Sequence, residues 1–371
     1  MSRKANVKGR LAIVHPESSL GWGGQEIRIL TESQGLIRRG HAVRLLAPAE
    51  ARISSEAARF GVPVHNLPIA RKRLRGLRAL VEWLGANSCD VVNTHSSTDS
   101  WLAALALRRL GRPAPIVRTR HISAPVPDNA ATRWLYTRAA SRVVTTGEAI
   151  RRQLVEENGF PAARIESVPT GIDAGRFVPG ERAAARTALG LPTDKFLVGI
   201  VATLRSWKGH RFLIDAMAQL PERIMLVIVG DGPQRAALEA QIGTLRLGAR
   251  VRMAGDRDDV LPWLQALDAF ALPSYANEGV PQALVQAMLT GLACVTTGAG
   301  SIPELALGER TALVVPPQDA QALRAALERL AGDAALRERL GRAARAHCTE
   351  RYSLERMLDR MEAIFAAVAA E

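Results

Sequence analysis

Cysteine is scarce: Cys89, Cys294 and Cys348 are the only three in 371 residues. They are odd in number and far apart, so neither a disulfide framework nor a zinc-ligand spacing exists, and a reducing cytoplasm is the expected compartment. Aromatic residues amount to only 4%. The sequence has no interleaving of rings with basic residues and no helix-turn-helix, finger or RNA-recognition signature. Its excess of positive charge therefore does not point to nucleic acid. Long apolar runs are missing too. The N-terminus MSRKANVKGRLAIVHPESS is basic, but its apolar run reaches at most from Leu11 to His15. That is too short for a signal peptide, and no window approaches a membrane span. What remains is a chain with 47% hydrophobic residues, long enough for two globular domains.

Acid is in short supply in one half only. Of the 49 Lys and Arg, 26 lie before Gly171, against 13 of the 36 Asp and Glu, so the remainder carries 23 of each sign. The whole net charge of +13 thus belongs to the first half, densest at RKRLRGLRAL, Arg71 to Leu80. Such asymmetry fits an anionic partner, either a phosphosugar or an anionic membrane face met by Arg71, Lys72, Arg73, Arg75 and Arg78. It equally fits a solvated arginine-rich face.

Short apolar runs alternate with helix-period segments throughout. In the first half they are RLAIVH, AVRLLAP, VPVHNLP, DVVNTH, PIVRTRH and SRVVTTG; in the second, FLVGIVAT, IMLVIVGDG, ARVRMAG, AFALPS, ACVTTG and ALVVPP. The spacing predicts βαβ units and two doubly wound parallel sheets of the Rossmann type. In the first helix, QEIRILTESQGLIRRG, the residues Ile27, Leu30 and Ile37 are expected on one buried face, with Gly40 as the stop. The domains are expected at 1–170 and 171–350, followed by a final helix over 351–371. Open α/β sheets bind ligands at the carboxyl ends of their strands. Two sheets facing one another across a cleft would therefore hold the site between them.

Several motifs fall at such strand ends. SSLGWGGQEIRIL brings Gly21, Gly23 and Gly24 to a helix start, where backbone N–H groups can approach an anion. The dinucleotide spacing G-x-G-x-x-G is not met, because Glu26 stands where its last glycine belongs. VVNTHSSTDS ends a strand on His95, and RTRHIS ends another on Arg118, Arg120 and His121. Each is also compatible with a satisfied structural residue. His15, His41, His65, His210 and His347 show no spacing suited to a metal. LRSWKGH places Arg205 and Lys208 before a helix, a pair suited to a diphosphate. VIVGDGP repeats the strand–glycine–helix pattern at Gly230. Asp256-Arg257-Asp258 has the look of a metal-binding D-x-D, but it reads better as acids capping the helix that follows.

Taken together, these motifs resemble family 4 of the retaining glycosyltransferases, which have the GT-B architecture: two Rossmann-like domains facing across a cleft. The resemblance covers nearly the whole chain. It includes the Gly23-Gly24-x-Glu26 loop, THS with His95, VPTGID, LRSWKGH, VGDGP, DAFALPSYANEGVPQALVQAM, GSIPEL and LVVPPQDAQALRAAL. It implies a nucleotide diphosphosugar donor held mostly by the second domain, an acceptor held mostly by the first, and no metal or other cofactor. It also implies roles for individual residues. Glu278, His95, Arg205 and Lys208 are the expected catalytic residues. Gly23, Gly24, Gly230, Arg257, Gly279, Val280 and Gln286 are expected at the donor, with Arg118, Arg120 and His121 on the acceptor side.

Two positions depart from the family pattern. Gln286 replaces the second glutamate of the Glu-x7-Glu signature, keeping an acceptor oxygen but not the charge. Thr203 stands where an arginine is common, which passes the phosphate-facing role to Arg205. The implied activity is transfer of a sugar to a hydroxyl of a cell-surface glycan, a lipopolysaccharide core or lipid-linked saccharide built at the inner membrane face. Two readings compete with it. One is a nucleotide-sugar epimerase or hydrolase of the same fold, and the other a weakened homologue that binds donor without turnover.

Overall fold

The computed structural model describes residues 9–111 and 114–371; Arg3, Lys4 and Lys8 of the basic N-terminal run lie outside them. The chain divides into two compact units, Met1–Thr170 joined by Glu355–Glu371, and Gly171–Leu354.

The first unit is built on β1 (Ala12–Pro16), β2 (Ala42–Ala47), β3 (Val64–Asn66), β4 (Val91–Thr94), β5 (Ile116–Arg120), β6 (Arg142–Thr145) and β7 (Ile165–Ser167). They form one parallel sheet in the order β3-β2-β1-β4-β5-β6-β7. Six of these strands coincide with the apolar runs of the sequence. The seventh, β7, does not: only Ile165 of its three residues is buried, and so short an edge strand has no apolar run to announce it. The order reverses between β1 and β4, which pair through Ile13 and Val91, so the crevice for a ligand opens above their carboxyl ends.

The first helix, Gly24–Arg38, buries Ile29, Leu30 and Leu36 together with Glu26, Arg28 and Glu32. The expected face is therefore rotated: Leu30 is core, but Ile27 and Ile37 are only half-buried. Apolar periodicity cannot find a face that also buries three charged side chains. The helix ends as expected at Gly40, whose φ is 93°. The N–H of His41 there returns to the carbonyl of Leu36, a closure that needs the left-handed backbone glycine tolerates.

The final helix, Leu354–Ala370, packs on the first. Leu358 lies against Gly35, where a Cβ would come within 2.4 Å of it. Arg39 pairs with Glu355, Asp359 and Glu362. Arg28 is buried beneath the contact. It donates to the Val168 carbonyl at 2.7 Å and to Thr170 Oγ1 at 3.2 Å, and reaches Met361 Sδ at 3.7 Å. Among the described residues its only carboxylate partner within ion-pair distance is Glu32, at 3.4 Å.

The second unit carries β8 (Phe196–Val201), β9 (Ile224–Val229), β10 (Val251–Gly255), β11 (Ala269–Leu272), β12 (Ala293–Thr296) and β13 (Leu313–Val314). They are parallel in the order β10-β9-β8-β11-β12-β13, with the reversal between β8 and β11, where Val198 meets Ala269. All six correspond to apolar runs. The central strands are buried on both faces, and Leu197, Val198, Ile200, Leu226, Phe270 and Val295 are fully inside one continuous core, as a sheet covered by helices on each side requires.

Candidate active site

In the second unit the reversal point gathers three loops. The loop after β8 carries Arg205 and Lys208, and the helix His210–Met217 follows it. The loop after β11 carries Glu278, Gly279 and Val280, all buried, ahead of the helix Gln282–Leu289. Lys208 Nζ donates to Glu278 Oε1 at 2.6 Å, joining the two loops. The Glu278 side chain is 5% exposed and that of Lys208 20%. Burying a carboxylate to that degree is costly unless it has such a partner. The loop after β12 supports the pair from below. Ser301 N–H donates to the Glu278 carbonyl at 3.3 Å. Gly300, at φ 55°, lies so close that a Cβ would fall 2.1 Å from that same oxygen.

The expected donor residues divide around this pair. Arg205 is exposed and stacks over Trp207 at 5.7 Å. Gln286 is half-buried, near the middle of its helix. Gly230, at φ 137°, follows β9 and lets its loop approach the loop after β8, because a Cβ there would lie 2.1 Å from the Ala202 carbonyl. Arg257 stands apart. It follows the edge strand β10, separated from β8 by β9, and its guanidinium lies 5.3 Å over Trp263. Just after Asp256 and Asp258, which were expected to cap the helix that follows, Asp259 Oδ1 accepts from Leu261 N–H at 3.1 Å.

The sequence gives no sign of several polar groups around this site. His210 is 2% exposed, and among the described residues neither ring nitrogen has a partner. Burial, with Lys208 nearby, lowers its pKa to about 3. The hydroxyls of Ser274 and Ser301 are likewise buried and unpaired.

In the first unit the carboxyl ends of β1, β4 and β5 converge. Asp99 organises them. Its Oδ1 accepts from the N–H groups of His95 and Ser96, each at 2.9 Å, while Oδ2 accepts from Ser18 N–H at 3.3 Å, Ser18 Oγ at 3.1 Å and the Ser96 hydroxyl. The Ser96-x-x-Asp99 pair is also a capping box for the helix Ser97–Leu110, a signal readable in the sequence. His95 is thereby held with its imidazole between two others. His15 Nδ1 lies 3.0 Å from His95 Nε2, and His95 Nδ1 lies 3.1 Å from His121 Nε2. His15 was missed because spacing along the chain does not reveal neighbours across adjacent strands.

Arg118 and Arg120 flank Tyr136. The first lies 4.5 Å over its ring, and the second donates to its hydroxyl at 3.3 Å. Arg118 is only 6% exposed, yet among the described residues no carboxylate lies within ion-pair distance of either arginine. Gly23 and Gly24 open the first helix beside buried acids. Glu17 accepts from Ser19 N–H at 2.7 Å and from Gln25 Nε2 at 2.6 Å. Burial and the nearby Asp99 and Glu26 push its carboxyl well above the usual range.

Two family profiles cover most of this sequence. Glycosyl transferases group 1 matches residues 181–347, and Glycosyltransferase Family 4 matches residues 22–176. The chain belongs to the family 4, group 1 glycosyltransferases. Among curated relatives of this glycosyltransferase is a putative glycosyltransferase, EpsF, of Bacillus subtilis. It is 28% identical over 59% of the chain and 62% of its own length, so the match spans under two thirds of that relative. A D-inositol 3-phosphate glycosyltransferase of Saccharomonospora viridis is 26% identical over 92% of the chain and 89% of its own length. Among solved structures, Anabaena Alr3699/HepE in complex with UDP-glucose has a TM-score of 0.87 at 22% identity, covering 96% of this chain and 100% of that one. The likeness establishes the GT-B fold, a pair of Rossmann-like domains.

Proposed function

We propose that this glycosyltransferase moves a sugar from a nucleotide diphosphosugar to an acceptor hydroxyl with retention of anomeric configuration. The observation that carries this is the 2.6 Å Lys208–Glu278 pair at the reversal point of the second sheet. Breaking the glycosidic bond of a donor builds negative charge on the diphosphate and positive charge on the anomeric carbon. A cation and a carboxylate held side by side oppose both, and such prearranged charge is commonly the largest catalytic contribution. Lys208, with Arg205 on the same loop, faces the diphosphate, and Glu278 takes the sugar hydroxyls. Gln286 accepts from the nucleoside ribose through its amide oxygen. These cations do the work a metal does in other transferases. The Anabaena protein's UDP-glucose complex supports a nucleotide-sugar donor.

The acceptor is anionic, a lipopolysaccharide core or lipid-linked saccharide. Arg118 and Arg120, desolvated without carboxylates, supply the reason: charge in such a position is costly unless something balances it. The Saccharomonospora relative is named for a phosphorylated acceptor. Among the described residues no helix is long and apolar enough to cross a membrane. Arg71, Lys72, Arg73, Arg75 and Arg78 are all exposed beside Leu74, itself 70% exposed. Each contributes about 1 kcal/mol at an anionic surface. The enzyme thereby works peripherally at the cytoplasmic face. Co-sedimentation with phosphatidylglycerol vesicles at low but not high salt is expected, and indifference to anionic lipid would remove this part.

The test of the activity is incubation with UDP-, GDP-, ADP- and dTDP-hexoses, with and without lipopolysaccharide-core or lipid-linked acceptors, with the product anomer read by NMR. Acceptor-dependent release of nucleoside diphosphate with retained configuration is expected. Equal release without acceptor would identify a hydrolase, conversion of the donor sugar without net release an epimerase, and binding without turnover a weakened homologue.

A further inference from the structure

The three imidazoles of the first unit form one chain of hydrogen bonds. His15 on β1 stacks on His95 at 5.2 Å and 10°, and His95 lies 5.3 Å from His121. The nitrogen pairs sit end to end, Nδ1 of one ring to Nε2 of the next. They bond one another rather than converging on a point, as metal ligands would. Exposure rises along the chain: His15 is fully buried, His95 is 5% exposed and His121 is half-exposed.

Neutral imidazole carries one N–H, so two polarities exist. In one, every ring is protonated on Nε2, and the last N–H is that of His15. In the other, every ring is protonated on Nδ1, and the last N–H is that of His121. The buried end decides. Among the described residues His15 Nε2 has no hydrogen-bond partner, and Arg28 projects positive charge onto this ring. A buried N–H without an acceptor forfeits a full hydrogen bond, and a cation nearby repels it further. A bare lone pair on Nε2 avoids the repulsion.

We infer that His15 and His95 are positioning residues that fix His121 in its Nδ1–H tautomer, so that the chain ends in a single outward hydrogen-bond donor at His121.

Burial and the surrounding cations, Arg28 on the first helix and Arg120 on β5, hold all three rings well below the usual histidine range. The chain is therefore neutral at physiological pH. A proton entering at His121 would find no exit at His15, so the chain sets direction rather than conducting. Asp99 holds the His95 backbone, and Phe365 meets the His15 ring edge-on at 6.4 Å. Both keep the stack from turning. With the transfer reading above, on which this step rests, the fixed donor of His121 serves a sugar oxygen that only accepts.

The test has two readouts. In the full chain with nitrogen-15-labelled histidine, long-range NMR correlations report the tautomer of each ring without reference to activity. His15, His95 and His121 are all expected as Nδ1–H; an Nε2–H form at any of the three overturns the inference. The second readout uses His15→Leu, which removes the first donor, and His15→Asn, whose amide nitrogen replaces Nδ1. His15→Leu is expected to give a tautomer mixture at His121 and to lower kcat about tenfold, the worth of one oriented hydrogen bond. His15→Asn restores both to within about threefold. If His121 keeps its tautomer in His15→Leu, or His15→Asn behaves like His15→Leu while melting like wild type, the positioning role is wrong. Inactivity of every chain, wild type included, would instead refute the transfer reading and leave the tautomer result standing.

Discussion

Removing Lys208 tests the site through stability and turnover at once. In Lys208→Met, Glu278, which is 4% exposed, loses the ion-pair partner that holds it at 2.6 Å. Breaking fully buried pairs costs about 3–5 kcal/mol because the stranded charge is not rehydrated. The Lys208 side chain is 20% exposed, so water partly replaces it and about 2–3 kcal/mol is the fitting magnitude. Glu278→Gln strands the partly exposed Lys208 ammonium instead and costs less. The double variant strands neither charge, so the two losses overlap by about 2 kcal/mol. Hydrogen exchange at β8 and β11 amides measures this locally, avoiding the assumption that two units unfold as one. Turnover falls in parallel, about 10²–10³-fold for each single variant. Additivity of the two stability losses within about 0.5 kcal/mol, or donor turnover at the wild-type rate in Lys208→Met, would refute the reasoning.

Further outcomes follow from neighbouring residues. Gly300→Ala places a methyl 2.1 Å from the Glu278 carbonyl at a φ of 55°; a loss of about 1–3 kcal/mol and a raised donor KM are expected in melting and initial-rate assays. Arg118→Met removes a buried cation and should bind anionic acceptor about tenfold more weakly, the worth of one charge-assisted contact. An unchanged acceptor KM would count against its role. His210 has its pKa lowered to about 3 by burial, so the unfolded chain takes up its proton near pH 6.5 and the folded chain does not. Its effect is absent above pH 6.5, and stability is lost as pH falls from 6.5 towards 3, by about 1.4 kcal/mol per pH unit. His210→Leu should flatten the acid limb of a urea-stability profile by that slope.

Twelve of the thirteen strands were legible because a parallel sheet covered on both faces must be written as apolar runs, and its turns as Gly and Pro. The strand Ile165–Ser167 was not, since an edge strand of three residues needs only one apolar side chain. The first helix misled for a different reason: its buried face includes Arg28 and Glu32, which pair with each other and with backbone, and periodicity counts such residues as solvent-facing. Of the site, the sequence reading named Lys208 and Glu278, which the fold brings into contact from loops seventy residues apart. It also named His95 and His121, but not the His15 that completes their chain, nor the Asp99 that fixes His95. His15 acts from the adjacent strand β1, and adjacency in a parallel sheet is set by crossovers that no local motif records; Asp99 lies four residues after His95, within a capping box that the sequence does record. Arg257, grouped with the donor residues on resemblance, follows the edge strand β10 and stacks on Trp263.

The most direct measurement is calorimetric titration of the full chain, and of Lys208→Ala and Glu278→Ala, with UDP-, GDP-, ADP- and dTDP-sugars. At least one should bind the unaltered protein, and each substitution should weaken it about tenfold or more, the worth of one charge-assisted contact. Equal affinity in all three proteins, or no binding of any nucleotide sugar to the unaltered chain, would contradict the placement of the donor at the Lys208–Glu278 pair.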